Sequence, residues 1–124
     1  MMIYEIRNYY LDPKALPDYE NWLTAWALPY MREHLDLVGF WVTRGPDAEV
    51  AGAPLDELGA ATVTWIIRWP DIETRNSEMA RVFAPSSEAW GAITEKHPGR
   101  EHYRRIEARF AEELLDAPDT GKQR

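Results

Sequence analysis

The stretch over residues 4–10 (Y-E-I-R-N-Y-Y) constrains the fold more than any other, because it alternates like a β-strand while neither of its faces is simply apolar. Side chains alternate between the two faces of a strand, so Glu5, Arg7 and Tyr9 lie on one side. The other side carries Tyr4, Ile6, Asn8 and Tyr10. A row that holds an acid, a base and a phenol needs polar partners, and the fold has to supply them.

The composition is typical of a single globular domain with a small core. The chain has 124 residues, of which 45% are hydrophobic and 28% are charged, as in ordinary soluble domains. The net charge of −7 argues against nucleic acids and anionic membranes as partners, since their phosphates would be repelled. The absence of cysteine excludes disulfides and thiolate chemistry and fits a reducing compartment. We therefore expect a cytoplasmic protein that binds neither nucleic acid nor membrane.

Two strand–helix–strand units follow one another in the hydrophobic pattern. After the first strand, Asp12-Pro13 and Leu16-Pro17 predict the start of a helix that runs to about His34, with an interruption at Pro29. The remaining elements are predicted, in order, as a strand (37–44), a surface excursion (45–59), a strand (60–69), a helix (about 71–83) and a short helix that begins at Pro85-Ser86.

The region over residues 102–115 fits either a helix or a strand, and intrinsic propensity favours the helix. As a strand antiparallel to the first, it would place Arg109 opposite Glu5 and Glu107 opposite Arg7, as two cross-strand pairs of opposite charge. This charge match favours the strand. The order β-α-β, excursion, β-α-(α)-β then predicts an α+β, ferredoxin-like split βαβ fold with a four-stranded antiparallel sheet.

Several motifs resemble the NIPSNAP family of dimeric α+β barrel proteins. They are the opening Y-E-I-R-x-Y (4–9), Leu16-Pro17 with the segment from Pro29 to His34, L-V-G-F-W (37–41) and Glu107-Ala108-Arg109. The third strand departs from the family, because Trp65-Ile66-Ile67 stands where many relatives carry His-Leu-Trp, so no role of that histidine is carried over. We assign residues 1–115 to the domain and residues 116–124 to a polar C-terminal tail.

The resemblance implies a fold, a homodimer and a cavity, and it leaves the reaction open. In such a dimer the chain's own helices cover one face of the sheet, and the partner's sheet covers the other. Other dimeric α+β barrels include cofactor-free monooxygenases, isomerases, cyclases and haem enzymes, so the fold by itself assigns no activity.

A charged row is the first candidate site, and the implied barrel places it against the partner subunit. Its members are Glu5, Arg7, Tyr9, Thr64, Arg68, Glu107 and Arg109. As a functional site it would hold an anionic or carbonyl substrate, with an arginine binding the charge and Glu5 or Tyr9 moving a proton. As a structural feature it would be an ion-pair network that sets strand register and dimer geometry. Because four alternating charges already satisfy one another, we favour the structural interpretation.

An aromatic pocket beneath the helices is the second candidate site. The residues expected to bind a hydrophobic or aromatic small molecule there are Tyr4, Tyr10, Trp22, Trp26, Trp65, Trp90 and His97. His34 is the candidate proton shuttle, with Asn8 and Tyr30 holding a carbonyl or hydroxyl group. The alternative is a packed aromatic core in which Asn8 bonds the backbone and His34 caps a helix end.

These sites leave two hypotheses about function. The first is a cofactor-independent small-molecule enzyme of the isomerase, cyclase or monooxygenase type, and the second is a non-catalytic homodimeric ligand-binding or interaction protein. The spacing of His34, His97 and His102 matches no metal-ligand motif, and the sequence has no Gly-rich phosphate loop. We therefore predict neither a metal nor a cofactor.

Overall fold

The part of the chain that the computed structural model describes, residues 2–115, has its strands and helices in the order β-α-α-β-β-α-α-β. Met1 and the tail expected over residues 116–124 lie outside it. The elements are β1 (Ile3–Leu11), a 3-10 turn (Pro13–Ala15), α1 (Leu16–Trp22), a π-helical turn (Leu23–Ala27), α2 (Leu28–His34), β2 (Leu37–Val42), β3 (Val63–Trp69), α3 (Ile72–Val82), α4 (Glu88–Thr94), a second 3-10 turn (Arg100–His102) and β4 (Tyr103–Glu112). The strand interpretation of the ambiguous last element is confirmed by β4.

The four strands form one antiparallel sheet in the order β2-β3-β1-β4. Buried side chains of the helices, such as Tyr19 and Met31, form one core with Val63 and Ile67 of β3. The predicted ferredoxin-like split βαβ fold with a four-stranded antiparallel sheet is therefore confirmed. We call the side of the sheet that the helices cover the inner face, and the opposite side the outer face.

The two faces of β1 are the reverse of the prediction. Its odd-numbered residues lie opposite the buried row of β3, with Glu5 paired to Ile67 and Arg7 to Trp65. The even-numbered row, which lies on the outer face, comprises Tyr4, Ile6, Asn8 and Tyr10. The apolar row of β3 has to be buried, and the register between the strands ties the charged row of β1 to the same face.

The predicted cross-strand pairing of charges between β1 and β4 is also wrong. Glu107 lies opposite Asn8, and Arg109 lies opposite Ile6. The acid and the base of β1 therefore point to the face of the sheet away from Glu107 and Arg109. Side chains alternate along a strand, so a register that differs by one residue moves an entire row to the other face.

The first long helix is interrupted by the π-helical turn at Leu23–Ala27. The Leu28 N–H donates to the Leu23 carbonyl five residues earlier, and Pro29 follows in the first turn of α2. Proline has no N–H, and its ring clashes with the carbonyl four residues back in a regular α-helix. The interruption predicted at Pro29 takes the form of this wider turn.

Side-chain caps set the beginnings of the last two helices. The Asp71 carboxylate accepts a hydrogen bond from the Thr74 N–H at 2.7 Å, and α3 begins directly after Asp71. The Ser87 hydroxyl accepts from the Trp90 N–H at 3.2 Å at the beginning of α4. Such caps satisfy N–H groups that have no partner within the helix. Among residues 2–115, no helix combines the length and the apolar character needed to cross a membrane.

Candidate functional site

A cavity of about 460 Å³ lies between the inner face of the sheet and the helices, a volume within the range of small-molecule sites. The aromatic side chains that form most of its wall include Tyr19, Trp22, Phe40, Trp65, Trp90 and Tyr103. Polar groups reach the cavity from Arg7 and Tyr9 of β1 and from His97 and Arg100 beyond α4.

The aromatic wall is held in place by ring contacts and by the backbone. Phe40 stacks on Trp65 with ring centres 5.3 Å apart. The Trp22 indole N–H donates to the Ile93 carbonyl at 2.8 Å, which joins α1 to α4. Since the backbone satisfies that polar tip, the Trp22 ring offers the cavity an apolar surface. The buried indole N–H of Trp65, in contrast, has no acceptor within residues 2–115.

Glu5 is fully buried at the inner face and accepts four hydrogen bonds. Trp69 Nε1 and Arg75 Nε donate to one oxygen at 3.0 and 2.9 Å, and Arg75 Nη2 and Arg7 Nη1 each donate to the other at 2.8 Å. Burial alone would raise the pKa of Glu5, but the hydrogen bonds and charges of the two arginines hold it below its ordinary range. Glu5 is therefore a carboxylate whose two oxygens are both occupied.

Arg7 connects this network to the cavity. Its Nε–H donates to the Tyr9 hydroxyl at 3.3 Å, and its Nη1–H is bound to Glu5. The guanidinium carbon lies 5.4 Å from the centre of the Trp65 ring, within the range of a cation–π interaction. With 16% of its side chain exposed, Arg7 is a positive charge held at the cavity wall by three neighbours.

His97 and Tyr103 form a hydrogen-bonded pair in the cavity wall. The Gly99 N–H donates to His97 Nδ1 at 2.9 Å, so the proton of the neutral ring lies on Nε2, which is 2.8 Å from the Tyr103 oxygen. The Nε2–H group therefore donates to Tyr103, and the Tyr103 O–H is left to donate to another acceptor. Gly99 has a φ of +137°, a backbone conformation that glycine adopts without strain.

Burial disfavours the charged forms of His97, Tyr103 and Tyr19 in this wall. Burial, together with the charge of Arg100, lowers the pKa of His97. Burial is also the main reason that the pKa values of Tyr103 and Tyr19 are raised. These two phenols consequently remain protonated and are able to donate a hydrogen bond.

The cavity combines residues from both predicted sites. Its wall takes Trp22, Trp65, Trp90 and His97 from the predicted aromatic pocket and Arg7 and Tyr9 from the predicted charged row. Because the faces of β1 are reversed, the polar row that we expected to meet the partner subunit points into the aromatic pocket. The two candidate sites therefore become one site with an apolar wall and a cationic group.

The expected position of Tyr4, Asn8 and Tyr10 beneath the helices is wrong, since all three lie on the outer face. The Asn8 Oδ1 accepts a hydrogen bond from the Thr64 hydroxyl at 2.7 Å. The Tyr10 hydroxyl donates to Glu107 at 3.2 Å. The side-chain amide of Asn8, which was expected to need a polar partner, is thus bound by Thr64 on the neighbouring strand β3.

Tyr30, His34 and Trp26 lie outside the cavity wall. The Tyr30 hydroxyl donates to the Val82 carbonyl at 2.6 Å and so joins α2 to α3. His34 is exposed, with its ring centre 4.3 Å from that of Tyr30. Trp26 is 46% exposed, and Lys96 Nζ lies 4.7 Å from the centre of its ring. The position expected for His34, beside the other pocket residues, is wrong because its helix turns that side chain toward solvent.

The remaining members of the predicted charged row lie on the outer face and do not meet Glu5; they are Thr64, Arg68, Glu107 and Arg109. Arg68 pairs with Asp36 at 2.8 Å. Glu107 lies 3.3 Å from the guanidinium of Arg105 on its own strand. An ion-pair network does surround Glu5, but its members differ from those predicted.

The residues of the site that the sequence analysis misses include Arg75, Tyr103, Arg100 and Phe40. One signal for the inward row was present, because Ile3 and Leu11 share its parity and both are apolar. No linear pattern points to Arg75, which reaches Glu5 from seventy positions along the chain. In the part of the chain that the structure describes, the wall contains no carboxylate, and no group of three or more His, Asp or Glu side chains is placed to hold a metal ion.

Several solved structures share this architecture. A NIPSNAP-like domain protein from Burkholderia xenovorans superposes with a TM-score of 0.71 at 18% identity, over 94% of this chain and 89% of that one. A NIPSNAP family protein of unknown function from Agrobacterium tumefaciens gives a TM-score of 0.69 at 22% identity, over 94% and 92%. The chain has a NIPSNAP-like fold. The fold recognised from the sequence motifs is thereby confirmed.

An ethyl tert-butyl ether d (ethd) family protein from Bacillus halodurans has a structure that is similar to this chain to a lesser degree. That structure has a TM-score of 0.50 at 17% identity, over 92% of this chain and 100% of that one. No family model and no curated protein matches the sequence. Since the structures are all distant in sequence, the likeness establishes the fold and assigns no activity.

Proposed function

We propose that this chain is a cofactor-independent enzyme that acts on a hydrophobic or aromatic substrate in the cavity between the sheet and the helices. The observation that carries the proposal is a cavity of about 460 Å³ whose aromatic wall is interrupted by a few convergent polar groups. Small-molecule sites commonly have this composition, because apolar walls supply affinity while a few polar groups orient the ligand.

The proposed chemistry uses Tyr103 as a hydrogen-bond donor to a carbonyl oxygen of the substrate. His97 donates to the Tyr103 oxygen, so it positions the hydroxyl and makes it a stronger donor. A donor aimed at an oxygen that gains negative charge stabilises an enolate-like transition state. Isomerisation and cyclisation of carbonyl compounds suit such a site, with solvent water taking up and returning the proton next to the carbonyl. Monooxygenation suits it as well, with dioxygen as the oxidant and the substrate as the source of electrons. His97 replaces His34 as the histidine of the site, but it positions Tyr103 and does not shuttle a proton.

A binding experiment with the neutral naphthyl ketone prodan tests the site. We expect saturable binding with a blue shift of prodan fluorescence. Met79 lines the cavity, so Met79→Trp should fill part of it and weaken binding at least tenfold. Ala80→Trp places the same side chain at an exposed position of the same helix and should leave binding within twofold. Failure of the native chain to bind prodan, or equal binding by Met79→Trp, would contradict the proposal.

The alternative is a non-catalytic ligand-binding protein, which is favoured by one observation: Glu5 is saturated by structural hydrogen bonds and has no oxygen left for chemistry. Proton exchange separates the two functions. An enzyme of the proposed kind should accelerate exchange of the hydrogen atoms next to the prodan carbonyl in D₂O, as followed by NMR, and Tyr103→Phe should slow it at least tenfold. Exchange at the uncatalysed rate, with prodan bound, would support the non-catalytic alternative.

We further propose a cytoplasmic homodimer in which the outer faces of two sheets pack together. The outer face carries Ile6, Ile66 and the half-exposed Trp41 next to the charged side chains of β4. A second copy would cover these apolar groups and pair the charges. The expectation of a cytoplasmic setting rests on the cysteine-free sequence. Sedimentation at micromolar concentration should give twice the mass of one chain, and a monomer there would contradict the dimer.

A further inference from the structure

We propose that the cavity selects a monoanion, namely a hydrophobic monocarboxylate whose carboxylate binds to Arg7. This inference rests on the proposed function and deepens it, because it names the chemical class of the ligand. It follows from the charges and the unused hydrogen-bond donors of the described residues.

The network around Glu5 carries an excess of one positive charge. One carboxylate, that of Glu5, is bound by two guanidinium groups, those of Arg7 and Arg75. Within residues 2–115, no second acid forms an ion pair with either arginine. A partly buried excess charge is unfavourable in a site of low dielectric constant, and an anion that enters the cavity would balance it.

Arg7 is the arginine that faces the cavity, and most of its donors are unused. An arginine side chain has five N–H groups, of which one is bound to Tyr9 and one to Glu5. Three therefore remain, on two nitrogens that are held at the wall. The planar guanidinium binds a carboxylate through two parallel hydrogen bonds, so its free edge matches this group in shape as well as in charge.

The rest of the wall strengthens the preference for an anion. Within residues 2–115, Arg100 is a second cationic group of the wall that forms no ion pair, and no Asp or Glu side chain lines the cavity. The charge of the wall is thus opposite in sign to the net charge of the chain, which is −7. The cavity is thus a positive region on an acidic protein, and its field favours the negatively charged form of a ligand.

The aromatic side chains determine what else the ligand must carry. Trp65 and Phe40 stack next to Arg7, and Trp22 and Trp90 extend the apolar wall. A carboxylate at Arg7 would therefore lead into a space suited to a ring system. The excess of one charge in the Glu5 network matches a singly charged acid better than a dianion. The charge of Arg100 is exposed to solvent, so it would compensate a second buried negative charge only weakly.

Displacement of prodan by 2-naphthylacetate and by the matched neutral 2-naphthylacetamide tests the charge preference. Both carry the same ring and differ mainly in charge. We expect the acid to bind at least tenfold more tightly than the amide, which corresponds to about 1.4 kcal/mol. Higher salt should weaken the acid more than the amide, because salt screens the attraction of the partly exposed site.

Two variants assign this preference to Arg7. Arg7→Gln should weaken the acid about tenfold and leave the amide within twofold, whereas Arg7→Lys keeps the charge and should retain part of the preference. Arg81→Gln removes an exposed arginine that pairs with Glu78 away from the cavity, and it should change neither affinity. The comparison of acid and amide on the native chain remains decisive even if Arg7→Gln folds poorly.

The outcomes separate this inference from the function on which it rests. Absence of prodan binding contradicts the proposed function itself. Prodan binding with equal displacement by acid and amide overturns the charge preference alone. An acid preference that survives unchanged in Arg7→Gln overturns the assignment to Arg7.

Discussion

Polar side chains on the two faces of β1 obtain their hydrogen-bond partners in different ways. On the inner face, Glu5 is completely buried and receives four hydrogen bonds, two of them from Arg75 on α3. On the outer face, Asn8 and Tyr10 find their partners directly on the adjacent strands, at Thr64 and Glu107. The buried charge thus depends on an arginine from a helix outside the sheet, whereas the half-buried polar groups are satisfied by residues of the neighbouring strands.

We therefore expect the loss of a hydrogen-bond partner to cost more stability on the inner face than on the outer face. A buried carboxylate that loses its charge leaves two guanidinium groups uncompensated, and the cost is large because water cannot replace the missing partner. Polar groups on the outer face retain access to water, so the loss of one partner costs little. The inner face should therefore govern both stability and ligand binding, and the following predictions test that comparison.

The largest expected effect is the removal of the inner carboxylate. Glu5→Gln should lower the free energy of unfolding by about 3 kcal/mol, toward the lower end of the cost of breaking a buried pair, since the amide oxygen still accepts a hydrogen bond. The matched outer-face change, Glu107→Gln, should cost about 0.5 kcal/mol or less. Urea unfolding of both variants measures the two changes in the free energy of unfolding. Equal losses of stability would contradict the expected difference between the two faces.

The same contrast should appear in the pH dependence of stability. The pKa of Glu5 is lowered in the folded chain, so the unfolded state takes up the proton first as the pH falls. The stabilisation by Glu5 is fully present above the unfolded pKa of about 4.5 and is lost as the pH falls through the folded value. The difference in stability between the native chain and Glu5→Gln should therefore shrink below about pH 4.5. A difference that stays constant down to pH 3 would contradict the assignment.

A matched pair of Tyr→Phe changes gives a smaller effect. Tyr103→Phe leaves the Nε2–H of His97 without its acceptor and should cost about 1 kcal/mol of stability. Tyr10→Phe removes a hydrogen bond to the half-exposed Glu107 and should cost about 0.5 kcal/mol or less. Prodan binding should weaken in the first variant only. If both variants weakened it equally, the outer face would have to take part in the site.

The smallest effect is expected at His34. Its side chain is exposed and lies outside the cavity wall, so His34→Ala should change stability by no more than about 0.5 kcal/mol and leave prodan binding unchanged. His97→Ala, in contrast, removes a group of the wall and should weaken binding. A loss of binding in His34→Ala alone would restore the sequence-based assignment of His34 to the site.

Much of the site was accessible from the sequence because aromatic side chains at helical and strand spacing predict burial. Trp22, Trp65, Trp90 and His97 were predicted for one pocket, and all four line the cavity. Asn8 and His34 were assigned to that pocket by parity and by helical spacing, and both assignments were wrong. Parity states which side chains share a face, but it does not state which face the helices cover.

The sequence by itself determined the order of strands and helices, the antiparallel sheet and the resemblance to NIPSNAP proteins, because alternation, turn residues and helix caps are local signals. Only the tertiary structure decided that the Glu5, Arg7 and Tyr9 row points beneath the helices. The physical reason is that β3 must bury its apolar row, and the register then carries the row of β1 to the same face. Arg75, which comes from α3, makes that burial possible by supplying the charge that Glu5 needs.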